Sequence, residues 1–207
     1  MALEHSPAAN RTTHLLYLHG FRSSPQSTKA RMVAAHVARH YPDVHWWCPQ
    51  LPPSPRDAVA RVMQEVAQWP ARGTAVVGSS LGGFYATCLA AATGCRAALL
   101  NPAVHPSRDL QRHLGVQTAW HDPAQRFEFT QAHVEELQTL ERASAHALRY
   151  APAQCFALIA QGDELLDWRE MHGRYPGCTL RLLEGSDHAI SDFADHLGAL
   201  MDFLQLA

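Results

Sequence analysis

The sequence is poor in charged residues and has no long apolar run, and both deficits narrow its class. Only 17% of its 207 residues are charged, and the net charge is −2. Binding to nucleic acid or to an anionic membrane needs clustered basic residues, and here they form at most isolated pairs, so we expect neither partner. No apolar stretch approaches the ~20 residues of a membrane-spanning helix. With 47% hydrophobic residues, the chain is expected to form one globular domain.

Paired cysteines and clustered metal ligands are also lacking. The five cysteines are scattered without C-x-x-C spacing, and the 14 histidines form no H-E-x-x-H motif. We therefore expect reduced thiols in a cytoplasmic protein and no metal site. Residues 1–12 lack the basic and then apolar pattern of a secretory signal. They are expected to be a disordered lead-in to a single domain over residues 13–207.

Apolar segments alternate with segments of helical periodicity along most of the chain. An apolar run without polar alternation is typical of a strand buried on both faces of a parallel sheet. The alternation predicts a three-layer α/β fold, a mostly parallel sheet of about six strands flanked by helices. The predicted strands are 14–19, 44–48, 74–77, 96–100, 155–160 and 179–183, and the main predicted helices are 27–40, 54–69, 81–92 and 190–204.

Residues 105–150 interrupt this alternation. The sequence predicts a short helix near 107–113 and a polar helix from about Thr130, with no strand. The segment is therefore interpreted as a small helical cap inserted over one end of the sheet. Two interpretations stay open. The segment is either a helical insertion on the surface with no role in binding, or a cap whose aromatic side chains line an acyl pocket.

A G-x-S-x-G motif follows the third predicted strand, with Ser80 between Gly78 and Gly82. A strand, this motif and then a helix form the pattern of a nucleophile elbow, which exposes a serine hydroxyl. The motif alone also fits a glycine-rich turn with a solvated serine. Ser79 is the rival nucleophile, but glycines do not flank it symmetrically.

An acid and a base follow later strands in the order that α/β-hydrolases use. Asp163 follows the fifth predicted strand and His188 the sixth. We expect His188 to take the proton of Ser80, and Asp163 to orient and stabilise the imidazole. Other candidates remain open at this stage: Asp167, Glu164 and Asp187 for the acid, and His196 for the base.

An oxyanion hole needs two fixed donors, and two backbone N–H groups are candidates. One is that of Leu81, directly after the serine, and the other is that of Phe21, after the first strand. His19 is expected to brace this loop rather than to act as a base.

Five segments together resemble the YqiA/YcfP-type bacterial esterases. They are His19–Pro25, Pro49–Pro53, Gly78–Thr87, Asn101–Val104 and Gly162–Asp167, and the resemblance extends over residues 14 to 206. It implies a small α/β-hydrolase that cleaves carboxylic esters or acyl thioesters. It also supports the roles of Ser80, Asp163 and His188.

The expected function is hydrolysis of a small acyl ester or thioester through an acyl-enzyme, with no cofactor, because the serine itself forms the covalent intermediate. An amidase or peptidase with the same triad is one alternative. A binding protein that has kept the hydrolase scaffold without turnover is another. The oligomeric state is not predicted.

Overall fold

A computed structural model describes residues 11–145 and 152–207, which form a six-stranded parallel sheet between helices. The strands of the chain are β1 (His14–Leu18), β2 (His45–Trp47), β3 (Thr74–Ser79), β4 (Arg96–Leu100), β5 (Gly115–Thr118), β6 (Arg126–Phe129), β7 (Cys155–Ala160) and β8 (Thr179–Leu183). The sheet has the order β2-β1-β3-β4-β7-β8, and every neighbouring pair in it is parallel. The predicted sheet is thus confirmed, and the fold is that of an α/β-hydrolase.

Helices cover both faces of this sheet, and each face has its own apolar core. The helices are α1 (Thr28–His40), α2 (Pro55–Val66), α3 (Leu81–Thr93), α4 (Pro106–Leu110), α5 (Gln131–Ser144), α6 (Trp168–Arg174) and α7 (Phe193–Leu204). Helices α1 and α7 pack on one face, whereas α2, α3, α5 and α6 contribute to the core on the other. The predicted three layers are confirmed.

Local sequence signals explain where several helices begin and end. Ser54 accepts a hydrogen bond from the N–H of Asp57 and Pro55 takes the first helical position, so α2 begins there. Gly94 ends α3 in the left-handed conformation, with φ of 71°. Helix α7 begins at Phe193 rather than at the predicted Ile190, because Ile190 itself has φ of 51° in a turn.

The prediction that residues 105–150 contain no strand is wrong. Strands β5 and β6 form an antiparallel hairpin from the Gly115–Phe129 pair to the Thr118–Arg126 pair. Each strand has only four residues, too few for a period of two to stand out in the sequence. The expected helices are present as α4, followed by a 3₁₀ turn over 111–113, and as α5. The insertion is therefore mixed rather than helical, and residues 146–150 lie outside the described part.

The hairpin packs on the loop that follows β1 through aromatic rings. The Phe21 ring contacts Phe127 and Phe129 edge-to-face, with centroid distances of 5.8 and 5.1 Å, and lies 5.6 Å from the ring of His113. Aromatic pairs in this geometry contribute about 1 kcal/mol beyond the burial of their area. The insertion thus holds the loop that carries one predicted oxyanion donor.

The domain begins one residue earlier than predicted. Residues 1–10 of the expected lead-in lie outside the described part, but Thr12 is 1% exposed. Its N–H donates to the carbonyl of Gln205 at 2.9 Å and its hydroxyl to that of Leu204 at 2.6 Å. In the described ranges, no helix is both long and apolar enough to cross a bilayer.

Candidate active site

Ser80 occupies a strained turn between β3 and α3. Its φ of 57° and ψ of −121° lie in a region that non-glycine residues rarely adopt, at a cost of about 1–3 kcal/mol. Four backbone hydrogen bonds hold it there. Its N–H donates to the carbonyl of Leu100 at 3.0 Å. Its own carbonyl accepts from the N–H groups of Gly83, Phe84 and Ala103. The serine is therefore fixed before any ligand binds.

The two glycines of the motif are required by close backbone contacts. A Cβ atom on Gly78 would lie 2.2 Å from the carbonyl oxygen of Gly82, and one on Gly82 would lie 2.0 Å from that of Leu18. Both separations are far below van der Waals contact. The G-x-S-x-G spacing thus lets α3 begin directly against β1 and β3, with the serine hydroxyl exposed at the turn.

The structure brings Ser80, His188 and Asp163 into one chain of hydrogen bonds. Nδ1 of His188 lies 2.8 Å from Oδ2 of Asp163, and Nε2 lies 3.1 Å from Oγ of Ser80. The carboxylate can only accept, so Nδ1 carries the proton and Nε2 presents its lone pair to the serine hydroxyl. This is the geometry in which a histidine can remove a serine proton.

Asp163 is held by its own loop. Its side chain is 0% exposed, and its other carboxylate oxygen accepts the N–H groups of Leu165 and Leu166, each at 2.9 Å. Gly162 lets this loop approach the loop after β8, since a Cβ there would lie 2.5 Å from the carbonyl oxygen of Ser186. The carboxylate of Asp163 is thus buried, and each of its oxygens has a hydrogen-bond partner, one of them the imidazole of His188.

The alternative acids have other partners. Asp167 caps α6 by accepting the N–H of Arg169 at 2.9 Å, and Asp187 accepts from the N–H and hydroxyl of Ser191. Glu164 accepts the backbone N–H of His188 at 3.0 Å, so it positions the histidine loop without contacting the ring. Asp163 alone, among the acids weighed from the sequence, reaches the imidazole.

The other histidines weighed from the sequence are placed elsewhere. His196 lies on α7 and pairs with Asp192 at 3.0 Å. His19 is buried, with Nδ1 3.0 Å from the carbonyl of Gly20 and Nε2 accepting the N–H of Leu51 at 3.1 Å. Burial lowers the pKa of His19 to about 4, so the ring is neutral at pH 7. Both nitrogens brace backbone, as expected for a residue that supports the loop.

A pH-dependent stability follows from His19. Its pKa rises from about 4 in the folded protein to about 6.5 on unfolding, so its contribution is complete above pH 6.5 and is lost as the pH falls towards 4. Between pH 7 and 4.5 the wild type should lose about 2–3 kcal/mol more unfolding free energy than His19→Gln, which cannot titrate. Urea unfolding at both pH values measures this difference. Parallel losses in the two proteins would contradict it.

The two predicted oxyanion donors flank Ser80. Leu81 is the first residue of α3, and the loop after β1 passes so close that a Cβ on Gly20 would lie 3.2 Å from that of Ser80. Within the described ranges, the N–H groups of Leu81 and Phe21 have no hydrogen-bond partner in the protein. The N-terminus of α3 adds a positive potential at this point. The arrangement can stabilise a negatively charged oxygen.

Asn101 is a functional candidate that the sequence reasoning missed as a site residue. It follows β4 with φ of 42°, is 1% exposed, and its amide donates to the carbonyls of Asp187 and His188 at 3.0 and 3.1 Å. The side-chain carbonyl oxygen of Asn101 accepts the N–H of Ala160, at the end of β7, at 2.7 Å. One side chain thus joins the ends of two strands to the loop of His188. Its position at a strand end, within the Asn101–Val104 segment of the family resemblance, is the signal that could have indicated this role.

Replacing Asn101 with alanine should misplace His188. We expect kcat to fall about 10- to 100-fold with little change in KM, because the loop loses the two hydrogen bonds that the Asn101 amide donates to it. The buried N–H of Ala160 is left unpaired, at a cost of about 1–3 kcal/mol in stability. Ester hydrolysis and thermal unfolding measure the two effects.

Thr87→Val is the matched control for Asn101→Ala. Thr87 is equally buried and bonds the hydroxyl of Tyr175 at 3.0 Å, away from the candidate site. It should lose stability while keeping kcat. An Asn101→Ala protein with unchanged kcat would show that Asn101 serves stability alone.

Two cavities open on either side of the loop after β1. One, of about 540 Å³, contains Ser80 and His188 and is also lined by Trp120 and Lys29, the one lysine of the sequence. The other, of about 410 Å³, is lined by Leu81 and by residues of the hairpin. His19, Gly20, Phe21 and Ser23 line both. A substrate bound at Ser80 therefore has space on both sides of this loop.

Lys29 is committed to the histidine loop. Its ammonium group donates to the carbonyl of Ala189, next to His188. Burial lowers the pKa of Lys29 to about 8, although Asp187 and Asp163 partly oppose the shift. Among the described residues, no three His, Cys, Asp or Glu side chains are grouped to hold a metal ion.

Comparison with a family model agrees with the resemblance seen in the sequence. A family described as "Uncharacterised protein family (UPF0227)" matches residues 14–205, which is nearly the whole chain.

Solved structures share the fold at low sequence identity. A structure from work on LipS and LipT, two metagenome-derived lipolytic enzymes, superposes with a TM-score of 0.72 at 18% identity, covering 95% of each chain. Est1E from Butyrivibrio proteoclasticus with bound ferulic acid gives 0.67 at 13%, covering 95% of this chain and 88% of that one. An alpha/beta superfamily hydrolase from Oenococcus oeni gives 0.62 at 15%, covering 94% of both. These similarities show that the chain has the α/β-hydrolase fold.

Proposed function

The chain belongs to the UPF0227 family, the YqiA/YcfP family, and from that premise we propose that it is a serine hydrolase of carboxylic esters or acyl thioesters. The observation that carries the proposal is the unbroken hydrogen-bonded chain from Ser80 through His188 to Asp163. The two unpartnered N–H groups beside the serine support it.

Acylation begins when Oγ of Ser80 attacks the carbonyl carbon of the substrate and its proton passes to Nε2 of His188. The imidazolium that forms is stabilised by the carboxylate of Asp163. The carbonyl oxygen becomes an oxyanion, which accepts from the N–H groups of Leu81 and Phe21; each such donor typically lowers the barrier by about 3–4 kcal/mol. When the intermediate collapses, His188 gives the proton to the departing oxygen or sulfur.

Deacylation reverses these roles with water as the nucleophile. Nε2 of His188 takes a proton from water, whose oxygen attacks the acyl carbon bound to Ser80, and the same proton returns to Oγ as the acid leaves. Neither step requires a group from outside the chain except water, so the proposed mechanism needs no cofactor.

The descriptions of two structurally similar proteins support the proposed acyl-ester chemistry. One comes from work on lipolytic enzymes, and Est1E was observed with ferulic acid. At 18% and 13% identity they support the reaction class without specifying the substrate.

A fluorophosphonate probe and p-nitrophenyl butyrate test the proposal on the purified protein. We expect covalent labelling and release of p-nitrophenol. Absence of both would favour a binding protein on a hydrolase scaffold. Labelling with cleavage of a p-nitroanilide, but of no ester or thioester, would instead indicate an amidase.

A further inference from the structure

The two cavities beside Ser80 are lined by cations and by no carboxylate. Arg22, Arg61 and Arg126 line the 410 Å³ cavity, and Lys29 lines the cavity that contains Ser80. Neither set of lining residues, within the described ranges, includes an Asp or a Glu. The whole chain has a net charge of −2, so this positive charge is local. A cleft lined by one sign of charge concentrates ligands of the opposite sign.

Arg22 is fixed more firmly than a solvated surface arginine. Its Nε donates to the carbonyl of Thr118 at 2.7 Å, and its guanidinium lies 4.1 Å above the ring of Trp120. The backbone N–H of Trp120 in turn donates to the backbone carbonyl of Arg22 at 2.8 Å. A backbone φ of 61° adds the strain of a left-handed conformation. These contacts hold the side chain of Arg22 in one place beside the hairpin.

The terminal nitrogens of Arg22 are left available. Among the described residues neither of them has a hydrogen-bond partner, since only Nε is engaged. A guanidinium held by its Nε and by an aromatic face presents two parallel N–H groups, the geometry that binds a carboxylate or a phosphate.

Arg61 and Arg126 add charge that the described protein does not neutralise. Arg61 makes one hydrogen bond, to the carbonyl of Gln50 at 3.2 Å, and Arg126 makes none with the residues described. Other arginines of the chain are paired: Arg56 with Glu136, Arg108 with Glu170 and Arg169 with Asp167. Arg31, Arg39, Arg72 and Arg181 also have no ion pair with the described residues, but they line neither cavity. Three arginines without a carboxylate partner thus line the cavity beside the candidate nucleophile.

The rest of this cavity combines the polar residues His19, Ser23, Gln50 and Gln125 with an apolar part that includes the residues of both proposed oxyanion donors. Leu51, Pro52, Tyr85 and Phe127 line it together with Leu81 and Phe21. A short methylene or aromatic spacer would contact these side chains and keep its end near the arginines.

Resting on the proposed hydrolase function, we propose that the substrate carries an anionic group, a carboxylate or a phosphate, which Arg22, Arg61 and Arg126 bind while the ester lies at Ser80. The substrate class is then a hemiester of a dicarboxylic acid, or an ester or thioester whose leaving group bears a phosphate.

Matched pairs of esters distinguish the two sources of the anion. On the acyl side, mono-p-nitrophenyl adipate is compared with p-nitrophenyl hexanoate, which has the same chain length without the carboxylate. On the leaving-group side, 4-(phosphonooxy)phenyl butyrate is compared with phenyl butyrate. We expect one anionic ester to exceed its neutral partner about tenfold or more in kcat/KM at low salt, and the preference to shrink at high salt. The arm that shows the preference identifies the source.

Variants connect the preference to the arginines. The ratio of anionic to neutral kcat/KM should fall about tenfold in Arg22→Gln and in the double variant Arg61→Gln/Arg126→Gln. Arg31→Gln is the matched control, because Arg31 is exposed on α1 and lines neither cavity. It should keep the wild-type ratio. The double variant leaves the strained loop intact, so it decides the matter if Arg22→Gln fails to fold.

Equal rates on charged and neutral partners, or a preference that survives both arginine variants, would overturn the inference while leaving ester hydrolysis established. Equilibrium binding of both anionic esters to Ser80→Ala provides a readout that does not depend on turnover. Tighter binding of the anionic partner, lost in the arginine variants, supports the anion site even if wild type hydrolyses no ester, which would count against the proposed function alone.

Discussion

Ser80→Ala is expected to lower kcat for p-nitrophenyl butyrate by about 10⁶-fold and to abolish labelling by a fluorophosphonate. The loss is large because the hydroxyl forms the covalent bond of the intermediate, so no other step of the proposed mechanism can proceed without it. The fold should be unchanged, since the strained turn is held by backbone hydrogen bonds that alanine keeps.

Ser79→Ala is the control for the nucleophile. Ser79 is the last residue of β3 and lines the same cavity, yet it is Ser80 that meets His188 at 3.1 Å. The Ser79 variant should remain labelled and active. Labelling that persists in Ser80→Ala would remove Ser80 as the nucleophile.

The second large effect is expected at the acid, where Asp163→Asn should reduce kcat by about 10⁴-fold. The amide oxygen can still accept the N–H groups of Leu165 and Leu166, so the loop keeps its geometry. The amide NH₂ then faces Nδ1 of His188 and favours the tautomer whose proton is on Nε2. That tautomer cannot accept the proton of Ser80.

Asp167→Asn is the matched control, because it makes the same substitution four residues further along. Asparagine is as good a helix N-cap as aspartate, so α6 should keep its start and kcat should stay within about a factor of two. Steady-state hydrolysis of p-nitrophenyl butyrate by both variants measures the contrast. Equal losses would leave Asp163 without support as the orienting acid.

The sequence predicts the core of this site because parallel strands end at one edge of a sheet. Ser80, Asp163 and His188 each follow a buried strand, so their proximity follows from the topology once the strands are recognised. The two glycines of the elbow are equally predictable. A Cβ atom on Gly78 or Gly82 would lie within 2.2 Å of a backbone oxygen, so neither position can hold another residue. The position of Asp163 directly at the strand end after Gly162 favours it over Asp167. Both follow the same strand, so the sequence alone leaves Asp167 open.

Other parts of the site depend on contacts between residues distant in the chain. Asn101 forms hydrogen bonds with Ala160 and His188, which are 59 and 87 positions further along the chain. No local sequence pattern predicts such contacts. The hairpin of β5 and β6 is too short to show its period, and it has no Asn-Gly turn to mark it. The stacking of Arg22 on Trp120 likewise exists only once the hairpin lies over the loop after β1.

The two proposed oxyanion donors belong to different parts of the fold, because an aromatic contact joins Phe21 to the hairpin of β5 and β6. The N–H of Leu81 belongs to the sheet-and-helix scaffold, whereas the N–H of Phe21 sits on a loop clamped by Phe127 and Phe129. The insertion thus supports one of the two proposed oxyanion donors. Grafting the hairpin of another family member onto this chain should therefore change the turnover number and the substrate range together, so selection on one property acts on the other.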